Sequence, residues 1–311
     1  MDRCVRLVSY NVRYFGHGLK GLASTAKSKT RIADAITGLT ELPELVALQE
    51  VETKSIRARV AHRAAHPEET QIDAFLRHLS DSFARAGKVM PYRAWYFPAH
   101  TYKLGPIKFY TTGLAVLVDC QRMNVIADRS EPITHVVNER LRSVKQTRIA
   151  AHLHLENLQN QRFHLFNTHL SLPTAWAKEF WSQPQKMGFG KNQVAEAQSL
   201  AAFSAEHSKR EPYLVVGDFN AAPATPVYSA LTRDADLTGA QEFLKQIDPK
   251  DPRGFATAGF MHLRMHLDHV FGSRGVNFVD LQNTLPFGDK ASPFFGLSDH
   301  VPLITRFELG R

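Results

Sequence analysis

The residues able to do chemistry in this chain sit at the ends of its most apolar runs. "YLVVGDFN" carries four apolar residues into Gly217, Asp218 and Asn220. Along an extended chain Asp218 and Asn220 project to one side and Phe219 to the other, and Gly217 permits another backbone or a ligand to approach closely. The pattern recurs. "RLVSYN" ends at Asn11, "LVALQE" at Glu50, and "HLFNTH" at Asn167 and His169; "HLD" supplies Asp268, and "LSDH" supplies Asp299 and His300 just ahead of the last apolar run. Each alone has an ordinary reading: Asn11 as a turn residue, Glu50 as a solvated strand end, His169 as a core histidine, Asp218 and Asn220 as a turn. Their repetition at strand ends is the signal, because sites in α/β sheets form where strand ends meet loops. Carboxylates and carboxamides without cysteine suit a hard cation such as Mg²⁺ or Mn²⁺. Histidines beside such an ion suit phosphate binding and proton transfer. The combined chemistry is hydrolysis of a phosphate ester by an activated water.

The elements that must carry these groups follow from periodicity. "CVRLVSYNV" and "ELVALQE" read as buried strands, separated by "SKTRIADAITGL" with Ile32, Ala35, Ile36 and Leu39 at helical spacing. A second helix is expected over "QIDAFLRHLSDSFARA", on an apolar face of Ile72, Phe75, Leu76 and Leu79. Strand-like runs follow at "YRAWYF", "GLAVLVD", "THVVNE", "RIAAHLHLE" and "RFHLFNTHL". A helix fits "NQVAEAQSLAAFSAEH", a short one follows near 225–233, and the chain closes with "HLDHVFGS", "VNFVDL" and "VPLITRFEL". Many strands with four or so helices suit two packed sheets with helices outside. No linker or repeat divides the 311 residues, so one domain over 1–311 is expected. A net charge of +8 favours anionic partners. Cys4 and Cys120 match no metal or redox spacing, and neither an apolar leader nor a run of membrane length is present. A protein of a reducing cytoplasm, with no obligate protein partner, is the resulting expectation.

In this order, "SYN", "LQE", "NTH", "GDFN", "LDHVF" and "SDH" resemble the endonuclease/exonuclease/phosphatase (deoxyribonuclease I-like) superfamily, over residues 9 to 300. The resemblance implies a four-layer α/β sandwich, two packed mixed β-sheets flanked by helices, with the site at the top of both sheets. It implies that Asn11 and Glu50 hold the catalytic Mg²⁺ or Mn²⁺, with Asp299 close to that ion or a second one. Asp218 would orient or deprotonate the attacking water, Asn220 would donate to a phosphate oxygen, and His169 would touch the phosphate from the other side. His300 would bind the phosphate, oriented by Asp268; Asn167 and Arg148 would help bind substrate. Relatives often carry a basic residue where Arg148 stands, and a surface arginine is the alternative. His269 follows Asp268 directly, so on a strand it faces away and reads as packing.

Substrate is less legible. His169 and His269 stand where the apurinic endonuclease branch commonly has tyrosine, and no Asp or Glu lies between Asp81 and Asp119 to support His169 as in deoxyribonuclease I. Arg85, Lys88, Arg93, Lys103 and Lys108 in that stretch either line an anionic path or form a solvated rim. Residues 172–193 interleave Trp176, Phe180, Trp181 and Phe189 with Lys178, Lys186 and Lys191. That composition suits unpaired nucleic acid, a peripheral membrane contact, or a loop folded onto the body. The expected function is a divalent-metal-dependent phosphodiester hydrolase, a nuclease on DNA or RNA. The rivals are a sphingomyelinase-like or phosphoinositide phosphatase-like esterase, and a binding protein that keeps the fold without turnover.

Overall fold

Strands covered on both faces need apolar residues on both, so their sequences read as unbroken runs. The computed structural model, which describes residues 4–16, 25–52, 70–104, 107–134, 146–173, 187–248, 250, 255–260, 263–283 and 289–310, shows this directly. In β1 (Val5–Asn11) and β2 (Leu45–Glu52), Val5, Leu7, Leu45 and Ala47 face one core, and Val8, Tyr10, Val46 and Leu48 face another. The remaining elements in chain order are α1 (Ala26–Thr37, between β1 and β2), α2 (Gln71–Arg85), β3 (Tyr92–Leu104), β4 (Ile107–Asp119), β5 (Met123–Pro132), β6 (Ile149–Asn157), β7 (Arg162–His169), α3 (Lys191–Ser208), β8 (Tyr213–Asp218), α4 (Pro226–Thr232), β9 (Thr238–Gly239), α5 (Ala240–Phe243), β10 (Ala258–Phe260), β11 (Leu263–Met265), β12 (Asp268–Gly272), β13 (Val276–Asn283) and β14 (Leu303–Leu309).

Two six-stranded mixed sheets result, ordered β13-β14-β1-β2-β4-β3 and β5-β6-β7-β8-β12-β9; β10 and β11 form a separate ribbon. Each large sheet has one parallel pair among the described strands, β1 with β2 and β7 with β8. A parallel neighbour requires a crossover, and α1 and α3 provide one each. The sheets pack face to face on a core that includes Leu7, Ala47, Val116, Leu153, Phe163, Leu165 and Val216. Outside the first sheet, α1 and α2 bury Ile32, Ile36, Phe75 and Leu79; outside the second, α3 and α4 bury Leu200, Phe203, Val227 and Leu231. The four-layer α/β sandwich is the observed architecture. Thr70 opens α2 with a capping box, its hydroxyl accepting from the Asp73 amide while the Asp73 carboxylate accepts from the Thr70 amide.

Departures from the sequence expectation have local causes. β5 carries "MNVIADRSEP", polar and closed by proline, which disguises an edge strand exposed on one side. The two- to four-residue elements β9, β10, β11 and α5 are too short to give a periodicity. The expected strand "THVVNE" lies, apart from its first residue, outside the described residues.

Asn167 does not reach solvent. Its amide accepts from Gln49 Nε2 at 2.8 Å and donates to the carbonyls of Leu48 and Ala115 at 3.1 and 3.3 Å, joining the two sheets through a largely apolar interior. The expectation that Asn167 binds substrate is therefore corrected: its donors and acceptor are consumed in the seam between the sheets. Replacing it with Leu would remove the shortest of the Gln49 Nε2 contacts, leaving Ser9 Oγ and the Ala47 carbonyl at 3.3 Å, and the side-chain donor to two carbonyls, at a cost of about 2–4 kcal/mol. Chemical denaturation of Asn167→Leu is expected to show that loss, with KM unchanged in the folded fraction.

Candidate active site

The carboxyl ends of the two parallel pairs meet at one edge of the sandwich, and each ends in polar residues. Asn11 ends β1, while Glu50 lies near the end of β2 at a bulge between Leu48 and Val51. Glu50 has φ 56°, a left-handed conformation that turns its carboxylate out of the ladder. On the second sheet His169 is the cross-strand neighbour of Asp218, and Asp218 is the neighbour of Asp268. Gly217 is required by the pairing of β7 with β8: its φ is +139°, and a Cβ there would stand 2.0 Å from the Thr168 carbonyl oxygen.

Beyond β8 the chain leaves the extended state, since Asn220 has φ 48°. Asp218 and Asn220 therefore share the cleft because of a turn, and not through the strand alternation the sequence suggested. Phe219 faces the other way, as expected, onto Phe271 and His269. The Asn220 backbone amide donates to Asp218 Oδ1 at 2.9 Å, and its side-chain amide donates to the Leu170 carbonyl at 2.9 Å. One of the two hydrogens expected to serve a phosphate oxygen is thus committed to the protein, and Asn220 holds Asp218 in place.

Asp218 is the hub. Its Oδ2 accepts from Asn11 Nδ2 at 3.0 Å, and it lies 3.5 Å from His169 Nε2 and 3.6 Å from His300 Nε2, both longer than hydrogen bonds. Asn11 Nδ2 also donates to Glu50 Oε1 at 3.3 Å, so one amide links the carboxylates of the two sheets. His300 Nδ1 is 2.8 Å from Asp268 Oδ2. The loop bearing Asp299 and His300 is tied down by Ser298 Oγ, which donates to the Asn11 carbonyl at 2.7 Å, and by the Gly259 amide, which donates to the Asp299 carbonyl at 2.8 Å.

These contacts divide the titratable groups. Burial opposes a charge on His300, but the carboxylates of Asp268 and Asp218 outweigh it and raise the imidazole to about 10. Burial, followed by the charges of Arg148 and His300, holds His169 well below the ordinary histidine range. The two histidines flanking Asp218 therefore differ in charge at neutral pH, one cationic and one neutral. Burial raises Asp218, with His300 opposing and Asp268 adding. Burial and then the charge of Asp299 raise Glu50 to about 7.

Crowded carboxylates of this kind fit a hard divalent cation. Glu50, Asp218 and Asp299 all line one open cleft, and oxygen is their only donor. Asp218, Asp268 and His300 also form a cluster able to share an ion. Two of the expected ligands have other attachments. Asn11 Oδ1 accepts from the Arg13 amide at 3.0 Å, and Asp299 Oδ2 pairs with the Arg13 guanidinium at 2.7 Å.

Arg148 lines the cleft and is 8% exposed, which rules out the surface alternative; its buried Nε has no hydrogen-bond partner among the described residues. Arg13, Tyr14 and Gln146 line the cleft as well and escaped the sequence reading. Arg13, Tyr14 and Phe15 have φ of 44°, 54° and 52°, a left-handed turn that side-chain types do not announce; their position directly after Asn11 was the one available signal. Arg85, Lys88 and Arg93 lie off this cleft: Arg85 pairs with Asp34 at 2.6 Å and Arg93 stacks over Trp95. The side chains of Lys103 and Lys108 lie outside the description. Of the 172–193 segment, Leu172 and Met187 line the cleft and Phe189 is half exposed, while residues 174–186, with Trp176, Phe180, Trp181, Lys178 and Lys186, fall outside the described residues. His269 is a packing residue, as expected, bonded through Nε2 to the Ala221 carbonyl at 2.8 Å.

The sequence profile of the Endonuclease/Exonuclease/phosphatase family matches residues 8–300. Among solved structures, the human Nocturnin catalytic domain with bound sulfate anion is 18% identical, covers 99% of this chain and 96% of its own, and superposes with a TM-score of 0.64. ANGEL2, a 2',3'-cyclic phosphatase, is 15% identical over 99% of this chain and 96% of its own, with a TM-score of 0.64. An endonuclease/exonuclease/phosphatase family protein from Leptotrichia buccalis is 16% identical over 98% of this chain and 100% of its own, with a TM-score of 0.66. At these identities the likeness is one of fold. No curated protein matches the chain by sequence.

The raised carboxyl of Glu50 carries a stability consequence. Its folded value lies above its unfolded one, so the metal-free native state binds the extra proton, and stability falls as pH rises from about 4.5 to about 7. Glu50→Gln removes that penalty. In chelator at pH 8 the variant is expected to be about 2 kcal/mol more stable than the parent, and equal to it at pH 4.5. Added Mg²⁺ or Mn²⁺ should raise the melting temperature of the parent and not of the variant. An equal or lower stability of Glu50→Gln at pH 8 contradicts the assignment.

Proposed function

The chain belongs to the endonuclease/exonuclease/phosphatase family of phosphoester hydrolases, and on that premise we propose that it is a Mg²⁺- or Mn²⁺-dependent phosphodiester hydrolase acting on nucleic acid. The observation that carries the reading is the surrounding of Asp218: groups from both sheets, Asn11, His169 and His300, stand 3.0 to 3.6 Å from one carboxylate oxygen.

In this reading Glu50 and Asp299, with Asn11, hold the divalent ion, which when bound supplies charge neutralisation at the phosphoryl oxygens. Asp218 accepts a proton from the attacking water, its raised affinity for protons bringing it closer to that task. Asn11 and the Asn220 backbone amide fix the carboxylate by one hydrogen bond on each oxygen. His300, kept cationic by Asp268, donates a charge-assisted bond to the phosphoryl group as negative charge builds there. His169, neutral, donates from the opposite side. Arg148, whose buried Nε has no partner among the described residues, is a donor suited to an anion.

Nucleic acid is favoured over lipid by the cleft. Its lining gathers the basic side chains of Arg13 and Arg148, and Tyr14, also in the lining, offers a face for a base. The bound sulfate of human Nocturnin, and the adenosine-2',3'-vanadate bound to ANGEL2, are phosphate-like groups held by proteins of the same fold. A single catalytic unit over residues 1–311 and a cytoplasmic site of action accompany this reading. Among the described residues no helix is long and apolar enough to cross a membrane.

The test is a substrate panel of single- and double-stranded DNA, RNA, sphingomyelin, phosphoinositides and bis-p-nitrophenyl phosphate with Mg²⁺ or Mn²⁺. Turnover of DNA or RNA is expected, falling about 10²–10⁴-fold in Asp218→Asn and in His300→Ala. Cleavage of lipids alone transfers the assignment to a lipid esterase. Full activity in both variants overturns the roles given to the two residues.

A further inference from the structure

A second cluster of ligating side chains lies at the far end of the same sheet. His154 on β6 and His164 on β7 are cross-strand neighbours whose rings stack with centroids 4.3 Å apart. Glu211, in the turn from α3 to β8, places its Oε2 2.9 Å from His154 Nε2 and 2.9 Å from His164 Nε2. His164 and His169 are five residues apart on β7, so the cluster stands about 16 Å from the catalytic groups. Nothing in the mechanism uses it.

We propose that His154, His164 and Glu211 form a binding site for a transition-metal ion of the zinc class. The geometry is that of ligands sharing an ion. Two donors each about 2.1 Å from one metal, at angles from square to tetrahedral, stand about 3.0–3.4 Å apart. The two nitrogen-to-oxygen distances, 2.9 Å each, fall about 0.1 Å below that range, a shift that an entering ion would open, and all three ligating atoms lie within 4.8 Å of one another. His154 Nε2 is buried and close to the carboxylate, yet off the line of a hydrogen bond, so it has no partner among the described residues. A metal supplies what that nitrogen lacks.

The surroundings fit. His152 Nε2 lies 2.8 Å from His164 Nδ1, the outer contact that orients a ligating imidazole and fixes which nitrogen faces the ion. Burial keeps His152 and His164 below the ordinary histidine range, so their lone pairs are free at neutral pH, as coordination requires. The His164 amide donates to the Pro212 carbonyl at 2.9 Å, which fixes the turn carrying Glu211 against β7. Glu211 is 35% exposed at its side chain and His154 19%, leaving an approach for the ion and a position for water. Two imidazoles and one carboxylate select Zn²⁺, Co²⁺ or Ni²⁺ over Mg²⁺, which prefers oxygen alone. The ion would fasten β6, β7 and the base of β8, the strand that ends in Asp218.

Tag-free protein, stripped with chelator and then saturated with Mg²⁺ so that the catalytic ligands are occupied, is titrated with Zn²⁺ by calorimetry. The parent is expected to bind one Zn²⁺ that His154→Ala and Glu211→Gln each weaken by at least about 100-fold, the upper range for loss of even an outer-shell partner. Zn²⁺ should raise the melting temperature of the parent and of neither variant. Co²⁺ should give visible absorption bands in the parent only. Both substituted side chains are partly exposed, and equal melting temperatures of the three proteins in chelator confirm that each variant folds. Equal Zn²⁺ stoichiometry and affinity in all three, or no Zn²⁺ bound by the parent, overturns the proposal.

Discussion

One buried polar contact fixes the relation of the two sheets. Gln49 and Asn167 meet side chain to side chain in the apolar seam, and each also reaches backbone of the first sheet: Gln49 the Ala47 carbonyl, Asn167 those of Leu48 and Ala115. Dispersion and hydrophobic burial hold two sheets together without specifying how far one slides over the other. A pair of carboxamides in an apolar interior does specify it, because a slip breaks the bond between them and leaves donors and acceptors unpaired. Glu50 is the next residue after Gln49, and His169 lies two after Asn167. The contact that sets the sheet offset therefore also sets the distance between the groups each sheet contributes to the cleft.

Above this bridge the structure accepts strain and unfavourable charge. Glu50 occupies a left-handed bulge, Arg13 to Phe15 form a left-handed turn, and Asn220 turns the chain out of β8 with positive φ. Such conformations cost of order 1–3 kcal/mol each and persist only where their surroundings fix them. Here the Ser298 bond to the Asn11 carbonyl and the Gln193 side chain, which bonds the carbonyls of Ser171 and Asn220, are the fixings. The carboxylates are likewise gathered against their own repulsion, which makes the cleft receptive to a cation and costs stability in its absence.

The histidines of the chain fall into environments that decide their chemistry. His300 is flanked by Asp268 and Asp218 and stays charged; His169 is buried beside Arg148 and stays neutral. His154 and His164 sit together on the second sheet with Glu211 as their carboxylate, His152 meets His164 behind them, and His269 is packed among aromatic rings. A single residue type thus supplies a cation, neutral donors, a ligand cluster and a core side chain. The difference is which carboxylate lies nearby and how much water is excluded.

The amino-acid order by itself determined the inventory: buried strands ending in Asn11, Glu50, His169 and Asp218, a late Asp299–His300 pair, and the class of chemistry these permit. Apolar runs and polar terminators are local properties, so they are legible in one dimension. It did not separate Asn167 from His169, two residues apart on one strand with the same alternation, because only the opposing sheet shows that one meets Gln49 and the other meets the cleft. It did not reveal Arg13 and Tyr14, whose placement depends on a backbone conformation rather than on residue type. The pairing of Asp268 with His300 was expected only through the family resemblance; the charge on each histidine and the meeting of Glu211 with His154 and His164 were decided by tertiary structure alone. Coulomb and desolvation energies depend on separations of a few ångströms between groups tens to hundreds of residues apart, and folding alone sets those separations.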